Sequence, residues 1–319
     1  MHIRNQSYLY RSFGLCIESD MPLPELPLLD LHREEALTSP VTVQEMDLSA
    51  FWLEASPVQS HIAMHKDMLL LHIPKTGLFG MQAGERIYYS PNGATELDKI
   101  RLYILGTCMA VVLMQRKILP LHGSALEIDG ACYAIVGDSG AGKSTLSSFL
   151  LRQGHSLLSD DLIAVAVNAH GVPQVMPAYP QQKIWQETLD MLGRSSAGLS
   201  PLFDRETKFA VGVQEQFCHQ PLPLAGVFEL VKSEENAAIM PVVGLDRLQL
   251  LLQHTFRGFL LRPLGLLDWH FRMLTSFVNQ IELYRLQRPA KGSTVQQLTE
   301  FVTEAAGLKK LEDLCVLEP

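Results

Sequence analysis

A glycine-rich loop is the feature that most constrains how this chain folds. The stretch GDSGAGKS, residues 137–144, follows the apolar run ACYAIV and opens the helix-like run KSTLSSFLLRQ. Its glycines allow backbone angles that a Cβ forbids, so successive N–H groups can turn towards one anion, and the helix N-terminus adds further donors. The complete G-x-x-x-x-G-K-[ST] motif, with a strand before it and a helix after it, predicts a phosphate-binding loop in an α/β core.

The motif predicts a chemical role for the loop residues. Lys143 would place a positive charge on the β- and γ-phosphates of a nucleotide, and Ser144 would offer a hydroxyl to Mg²⁺. The cofactors that this chemistry implies are ATP and Mg²⁺. The predicted nucleotide-binding residues are Gly137, Asp138, Ser139, Gly140, Ala141, Gly142, Lys143, Ser144 and Thr145. Motors, switches, transporters and kinases all use such a loop, so the neighbouring residues must decide the reaction.

Three further side chains are candidates for catalytic roles beside the loop. Asp160 and Asp161 interrupt the apolar stretch SLLSDDLIAVAV, which predicts one strand, an acidic break and a second strand. One carboxylate could hold Mg²⁺ through water and the other could accept a proton from an attacking hydroxyl, and a solvated turn is the alternative. His122 lies on the predicted strand before the loop strand, where a lone histidine is more often structural.

The rest of the chain predicts a two-domain α/β protein. Short apolar or alternating runs separated by turn signals indicate a small β-rich domain over residues 1–94, and the phosphate-loop domain follows over 95–319. The two strands before the loop are joined by Asp129-Gly130, which is a strong hairpin signal.

Composition excludes some partners. The net charge of −8 provides no basic surface for nucleic acid, and the apolar run 100–114 is too short to cross a membrane. The start of the chain lacks the apolar core of a signal peptide, and the cysteines are dispersed, which favours reduced thiols in the cytoplasm. The five cysteines are Cys16, Cys108, Cys132, Cys218 and Cys315.

The stretch HGSALEIDGACYAIVGDSGAGKSTLSSFLLRQGHSLLSDD resembles the core of HPr kinase/phosphorylase, a bacterial family that phosphorylates a serine of a protein substrate. The shared pattern is a His-Gly on one strand, the phosphate loop, an R-G-H-like turn after the helix and an Asp-Asp pair. The matching positions are His122-Gly123, 137–144, Gly154-His155 and Asp160-Asp161.

The resemblance covers about residues 120–166 and implies a core related to phosphoenolpyruvate carboxykinase. It makes His122 and Lys143 catalytic, with Asp161 as the base and Asp160 as the metal-side residue beside Ser144, although the reverse assignment of the two aspartates stays open. Thr145 stands where the family usually has glutamate, and the family's glutamate–arginine segment and C-terminal signature have no clear counterpart. Phosphorylase activity and HPr as the substrate are therefore not expected.

A second, looser resemblance extends along the whole chain. The segments YRSFGLCIESDMPLPEL, AYPQQKIW, LLLQHTFR and IELYRLQRP are similar to the HPr-kinase-like proteins of lasso-peptide gene clusters, which are linked to phosphorylation of the C-terminal serine of a precursor peptide. It makes Lys183, Lys208 and Arg257 candidates for phosphate or substrate contacts, with surface charge as the alternative. It also makes a serine-bearing peptide or small protein the expected partner, and HPr kinases are hexamers, so homo-oligomerisation is an option.

The sequence predicts an ATP- and Mg²⁺-dependent serine kinase that acts on a peptide. The alternatives are a regulatory HPr kinase/phosphorylase and a nucleotide-dependent binding or assembly factor that transfers nothing. A small-molecule kinase is a further option, because distant relatives of the core act on metabolites.

Overall fold

The structure, a computed structural model, describes residues 7–29, 39–202, 205–290, 292 and 294–316, without the side chains of 205–206 and 308–316. The chain divides into two compact units. The first comprises Met1–Pro120 and Phe256–Phe271, and the second comprises Leu121–Thr255 and Arg272–Pro319. This division places residues 95–120 with the first unit; the domain boundary between residues 94 and 95 stays a prediction.

The first unit contains an eight-stranded sheet in the order β1-β2-β3-β8-β7-β6-β5-β4. Its elements are β1 (Tyr8–Ser12), β2 (Leu15–Ser19), β3 (Val41–Glu45), α1 (Ser49–Glu54), β4 (Ser56–Gln59), β5 (Ile62–His65), β6 (Met68–Ile73), β7 (Gly77–Gln82), β8 (Arg86–Pro91), α2 (Leu97–Tyr103) and α3 (Met109–Gln115). Helices α2 and α3 are joined by a π-helical turn over Ile104–Cys108, so residues 97–115 form one largely buried helical run. None of the described helices has the length and apolar character that crossing a membrane requires.

The second unit contains a seven-stranded sheet in the order β10-β9-β11-β12-β16-β18-β17, in which β10 also pairs with β16, and a small sheet in the order β13-β15-β14. Its elements are β9 (Leu119–Ile128), β10 (Ala131–Val136), α4 (Lys143–Arg152), β11 (Ser156–Val167), β12 (Pro173–Met176), β13 (Gln181–Trp185), α5 (Gln186–Met191), β14 (Pro201–Leu202), β15 (Arg205–Gly212), β16 (Leu222–Ser233), β17 (Ala238–Pro241), α6 (Leu245–Gln253), α7 (Leu267–Phe277), β18 (Glu282–Pro289) and α8 (Val295–Val316). By the limits above, β9 and α7 begin in the first unit. The predicted α/β class is confirmed.

Local sequence explains the elements that lead to the loop. The predicted hairpin is confirmed: β9 and β10 pair antiparallel, and Asp129 and Gly130 turn between them with φ of 54° and 85°. The stretch 156–167 is one strand, β11, and not the predicted two, and Asp161 lies inside it with a φ of 74°. A positive φ is uncommon for a residue that carries a side chain.

Three parallel strands place the loop. β10 pairs in parallel with β16, and β16 pairs in parallel with β18, so their carboxyl ends meet at one edge of the sheet. The loop leaves β10 at this edge and enters α4. Apolar residues of α4 and α8 pack on one face of the sheet, and this packing holds α4, which follows the loop, against the sheet. This core includes Ile135, Leu146, Leu150, Phe228, Leu230, Leu286 and Leu298.

Candidate active site

The phosphate loop has the backbone that its glycines permit. Gly137 has a φ of 142°, and a Cβ on it would lie 2.5 Å from the carbonyl oxygen of Leu230. Gly142 has a φ of 108° and directly precedes Lys143, the first residue of α4. Side chains at these two positions would be strained or would collide, so the loop is shaped for backbone N–H groups to face an anion. The residues present therefore fit a nucleotide phosphate.

The side chain of Lys143 folds over this loop. Its Nζ donates to the carbonyl oxygens of Gly137 at 2.7 Å and Asp138 at 3.1 Å. Burial lowers the pKa of Lys143, and the charges of Asp161 and Asp160 oppose that shift. The ammonium group is thus held at the place where the loop would receive phosphate.

Asp160 is enclosed by the protein. Its side chain is only 6% exposed. Its Oδ1 accepts from the hydroxyl of Ser124 at 2.6 Å, and its Oδ2 accepts from the backbone N–H of Lys183 at 2.8 Å. Burial raises the pKa of Asp160, and both hydrogen bonds act in the opposite direction. The carboxylate therefore ties β9, β11 and β13 together beside the loop.

Asp161 is the accessible member of the pair. Its side chain is 30% exposed, and its Oδ2 lies 2.7 Å from the Nζ of Lys183. Burial acts to raise the pKa of Asp161. The ion pair with Lys183 and the charges of His122 and Lys208 lower it by more, so the pKa lies well below its usual range. Asp161 is therefore an ionised carboxylate at neutral pH that also reaches solvent.

His122 contacts Asp161 from β9. Its Nδ1 lies 3.0 Å from the backbone oxygen of Asp161 and 3.7 Å from its Oδ1. A carbonyl oxygen only accepts, so Nδ1 carries the proton, and Nε2 of the neutral ring is an acceptor. Burial lowers the pKa of His122, partly offset by the charge of Asp161, which favours this neutral form.

The structure brings most of the predicted residues together. His122, Lys143, Asp160 and Asp161 meet at the carboxyl edge of the sheet, and Lys183 joins them as the partner of Asp161. Its side chain is largely buried, so it serves as a counter-charge to the carboxylate.

The other two basic candidates make different contacts. The Nζ of Lys208 lies 5.4 Å from the ring centroid of Trp185, and its charge lowers the pKa of both Asp161 and Lys143. Arg257 belongs to the first unit, where its guanidinium lies 5.6 Å from the ring centroid of Phe256.

Sequence reasoning missed how the small sheet joins the loop helix. The hydroxyl of Thr145 lies 2.7 Å from that of Thr188 on α5. The amide of Gln182 on β13 donates to Ser147 at 2.8 Å and accepts from Ser148 at 3.2 Å. These bonds hold the strand that carries Lys183 against α4. The run of small hydroxyl residues on one helix face was the only local signal of this contact.

We expect Lys183→Met to destabilise the fold by about 2–4 kcal/mol at neutral pH, because it leaves a largely enclosed carboxylate without its counter-charge. The folded pKa of Asp161 lies below its unfolded value. The contribution of the pair is therefore fully present above an unfolded pKa of about 3.9 and is lost as pH falls towards the folded value. Urea unfolding of both proteins at pH 7 and at about pH 2, well below the unfolded pKa, should show a smaller difference at the lower pH. Lys183→Arg, which keeps the charge, should recover part of the loss, whereas an equal cost for both variants at both pH values would contradict the ion-pair explanation.

No family model matches this chain. It is similar to an HPr kinase/phosphorylase of Mycoplasmopsis pulmonis, with 37% identity over 70 residues, and to one of Burkholderia cenocepacia, with 39% identity over 72 residues. These matches cover 21% and 23% of this chain. The matched segment is HPr kinase-like.

The HPr kinase-like similarity is confined to part of each protein. The chain spans 23% and 20% of the length of these two relatives. The solved HPr(Ser) kinase/phosphatase of Coxiella burnetii aligns over 60% of this chain and 97% of its own, with 15% identity and a TM-score of 0.32. The activity, substrate and partners of the whole protein are therefore proposals.

Proposed function

We propose that this protein is an ATP- and Mg²⁺-dependent serine kinase that acts on a peptide in the cytoplasm, with the C-terminal serine of a lasso precursor peptide as the acceptor. The observation that carries the proposal is the Asp161 carboxylate, which is ionised, reaches solvent and lies beside His122 at the edge that holds the phosphate loop. The similarity to relatives named HPr kinase/phosphorylase supports a serine kinase type of chemistry.

In the proposed reaction the acceptor serine hydroxyl binds against Asp161. The serine oxygen attacks the γ-phosphorus, the bond to the oxygen that bridges the β- and γ-phosphorus breaks, ADP leaves, and Asp161 takes the hydroxyl proton. A low pKa keeps the carboxylate ionised at neutral pH, so Asp161 can accept the hydrogen bond of the hydroxyl and then its proton as phosphoryl transfer proceeds. His122 holds the backbone of Asp161 through its Nδ1, and Lys183 keeps the carboxylate charged.

The phosphate side of the reaction uses the loop. Its backbone N–H groups and Lys143 would neutralise the phosphates, and Ser144 and Asp160 are the proposed metal-side residues. Each carboxylate oxygen of Asp160 already accepts one hydrogen bond from the protein, which suits a contact with Mg²⁺ through a water molecule. Mg²⁺, when bound, would supply charge neutralisation of the transferring group.

The test is mass spectrometry of the purified protein with ATP, Mg²⁺ and a lasso precursor peptide ending in serine, beside a reaction with HPr. We expect one added phosphoryl group on the last residue of the peptide, and no product when Mg²⁺ is removed by EDTA or when Lys143 is changed to Ala. A peptide whose last serine is changed to Ala is the substrate control.

The other outcomes separate the alternatives. Phosphorylated HPr with unmodified peptide would identify a regulatory HPr kinase, and phosphorolysis of phospho-HPr by inorganic phosphate would add the reverse activity. ATP consumption without a phosphorylated acceptor would favour a nucleotide-dependent assembly factor. Light scattering of the same sample would test whether the protein forms a homo-oligomer.

A further inference from the structure

Two basic side chains that are not among the predicted site residues lie beside the phosphate loop. Lys232 is the penultimate residue of β16 and Arg288 is the penultimate residue of β18, and the two are paired in the parallel register of these strands. They therefore lie at the same edge of the sheet as the loop, which follows β10 on the other side of β16.

The strand alternation places both side chains on the face that carries the loop helix. Leu230 and Leu286 pack in the core shared with α4. Because every second residue of a strand points to the same face, Lys232 and Arg288 continue these two apolar rows beyond the core. On each strand a basic residue therefore follows the last apolar residue of this row, beyond the level of Leu230 at which the loop begins.

Distances confirm that both cations approach the loop. A Cβ built on Gly142 would lie 3.9 Å from the Cδ and the Cζ of Arg288. A Cβ built on Gly140 would lie 3.9 Å from the Nζ of Lys232. The two groups flank the glycines of the loop, while Lys143 lies over its first carbonyl groups.

The side chain of Arg288 is incompletely satisfied by the protein. Its Nε is buried and has no hydrogen-bond partner among the residues that the structure describes. A buried donor without a partner costs free energy, and it marks a place where a ligand could accept the bond. A guanidinium offers planar, paired donors that match phosphate oxygens.

We propose that Arg288, assisted by Lys232, binds the polyphosphate of a nucleoside di- or triphosphate on the Gly140–Gly142 side of the loop. The inference rests on the proposed nucleotide use and extends it to two residues outside the loop motif. Three cations and a helix N-terminus then converge on one anion, whose charge relieves their mutual repulsion.

The test is calorimetric titration of adenosine, AMP, ADP and ATP into the unmodified protein and into Arg288→Gln. We expect ADP and ATP affinity to fall by about ten- to hundredfold, since a hydrogen bond to a charged group is lost, and AMP affinity to change much less. Lys232→Gln should weaken ADP binding by a smaller factor. Arg152→Gln removes the same charge from the exposed far end of α4 and should leave ADP affinity unchanged.

Two further variants separate this inference from a folding defect and from the proposed function. Arg288→Lys keeps the charge, and we expect it to show an intermediate ADP affinity and the melting temperature of the unmodified protein without ligand. If Arg288→Gln binds ADP with unchanged affinity while Lys143→Ala loses binding, the role of Arg288 is overturned and nucleotide binding by the loop still stands. An equal loss for AMP, ADP and adenosine would assign Arg288 to the nucleoside and would overturn the phosphate contact.

The nucleotide itself is tested in the same titrations. No nucleotide binding by the unmodified protein would overturn both the inference and the kinase proposal. Weakened ADP binding in Arg288→Gln together with no phosphoryl transfer to any acceptor would support the inference and contradict the kinase.

Discussion

Changing Asp161 to Asn should reduce the rate of phosphoryl transfer by about 10²–10⁴-fold, the range typical of a lost general base. The amide has nearly the same shape, so its oxygen can still accept the hydrogen bond that Lys183 Nζ donates to Oδ2. It cannot take a proton from the acceptor hydroxyl. We therefore expect kcat to fall while the affinity for ADP stays within a few-fold of the unmodified protein.

The matched control is Asp129→Asn, which makes the same chemical change in the hairpin turn at the other end of β9 and β10. Asparagine also tolerates the left-handed backbone that Asp129 adopts, so this variant should transfer phosphate at the normal rate. Single-turnover kinetics and ADP titration of both variants are the measurements. Near-normal transfer by Asp161→Asn would show that another group accepts the proton, and Asp160 would then be the next residue to change.

The second large effect concerns Gly123, between the site residues His122 and Ser124. A Cβ on Gly123 would lie 2.2 Å from the carbonyl oxygen of Ile135 on the paired strand β10. A backbone oxygen cannot move aside as a flexible side chain does, so Gly123→Ala should separate the two strands. We expect a loss of about 3 kcal/mol in the free energy of unfolding, at the upper end of what overpacking costs.

The same change should also impair the site. Shifting β9 moves His122 away from Asp161 and moves the hydroxyl of Ser124 away from Asp160, so transfer should fall even where the protein remains folded. Urea denaturation and an activity assay check both effects. Gly106→Ala is the control, because its Cβ would meet nothing within 4 Å and alanine is the better helix former. A cost below about 1 kcal/mol for Gly123→Ala would mean that the sheet adapts to the methyl group, against the range expected for overpacking.

The parts of the fold that could be predicted are those that short sequence patterns specify. The loop 137–144 and the Asp129-Gly130 hairpin depend on neighbouring residues and on the backbone angles of glycine, so they are readable from the sequence. His122 and the aspartate pair were predicted as site residues from the resemblance of residues 120–166, which is also a short stretch of chain. The single strand β11 was not predicted, because two adjacent acids resemble a turn until tertiary pairing holds them inside a sheet.

Distant residues decided the rest of the site. The position of β13 beside β11 makes Lys183 the ion-pair partner of Asp161, which the sequence does not reveal. Its contact with phosphate or substrate stays a prediction. The burial of Asp160 and the exposure of Asp161 separate two residues that the sequence leaves interchangeable.

By itself the sequence determined the phosphate loop, the α/β class and the residue types of the site, since each depends on short stretches of chain. The tertiary structure alone decided which aspartate reaches solvent, and it placed Arg288 next to Gly142. Their proximity follows from the parallel register of β10, β16 and β18, which sequence separation does not reveal.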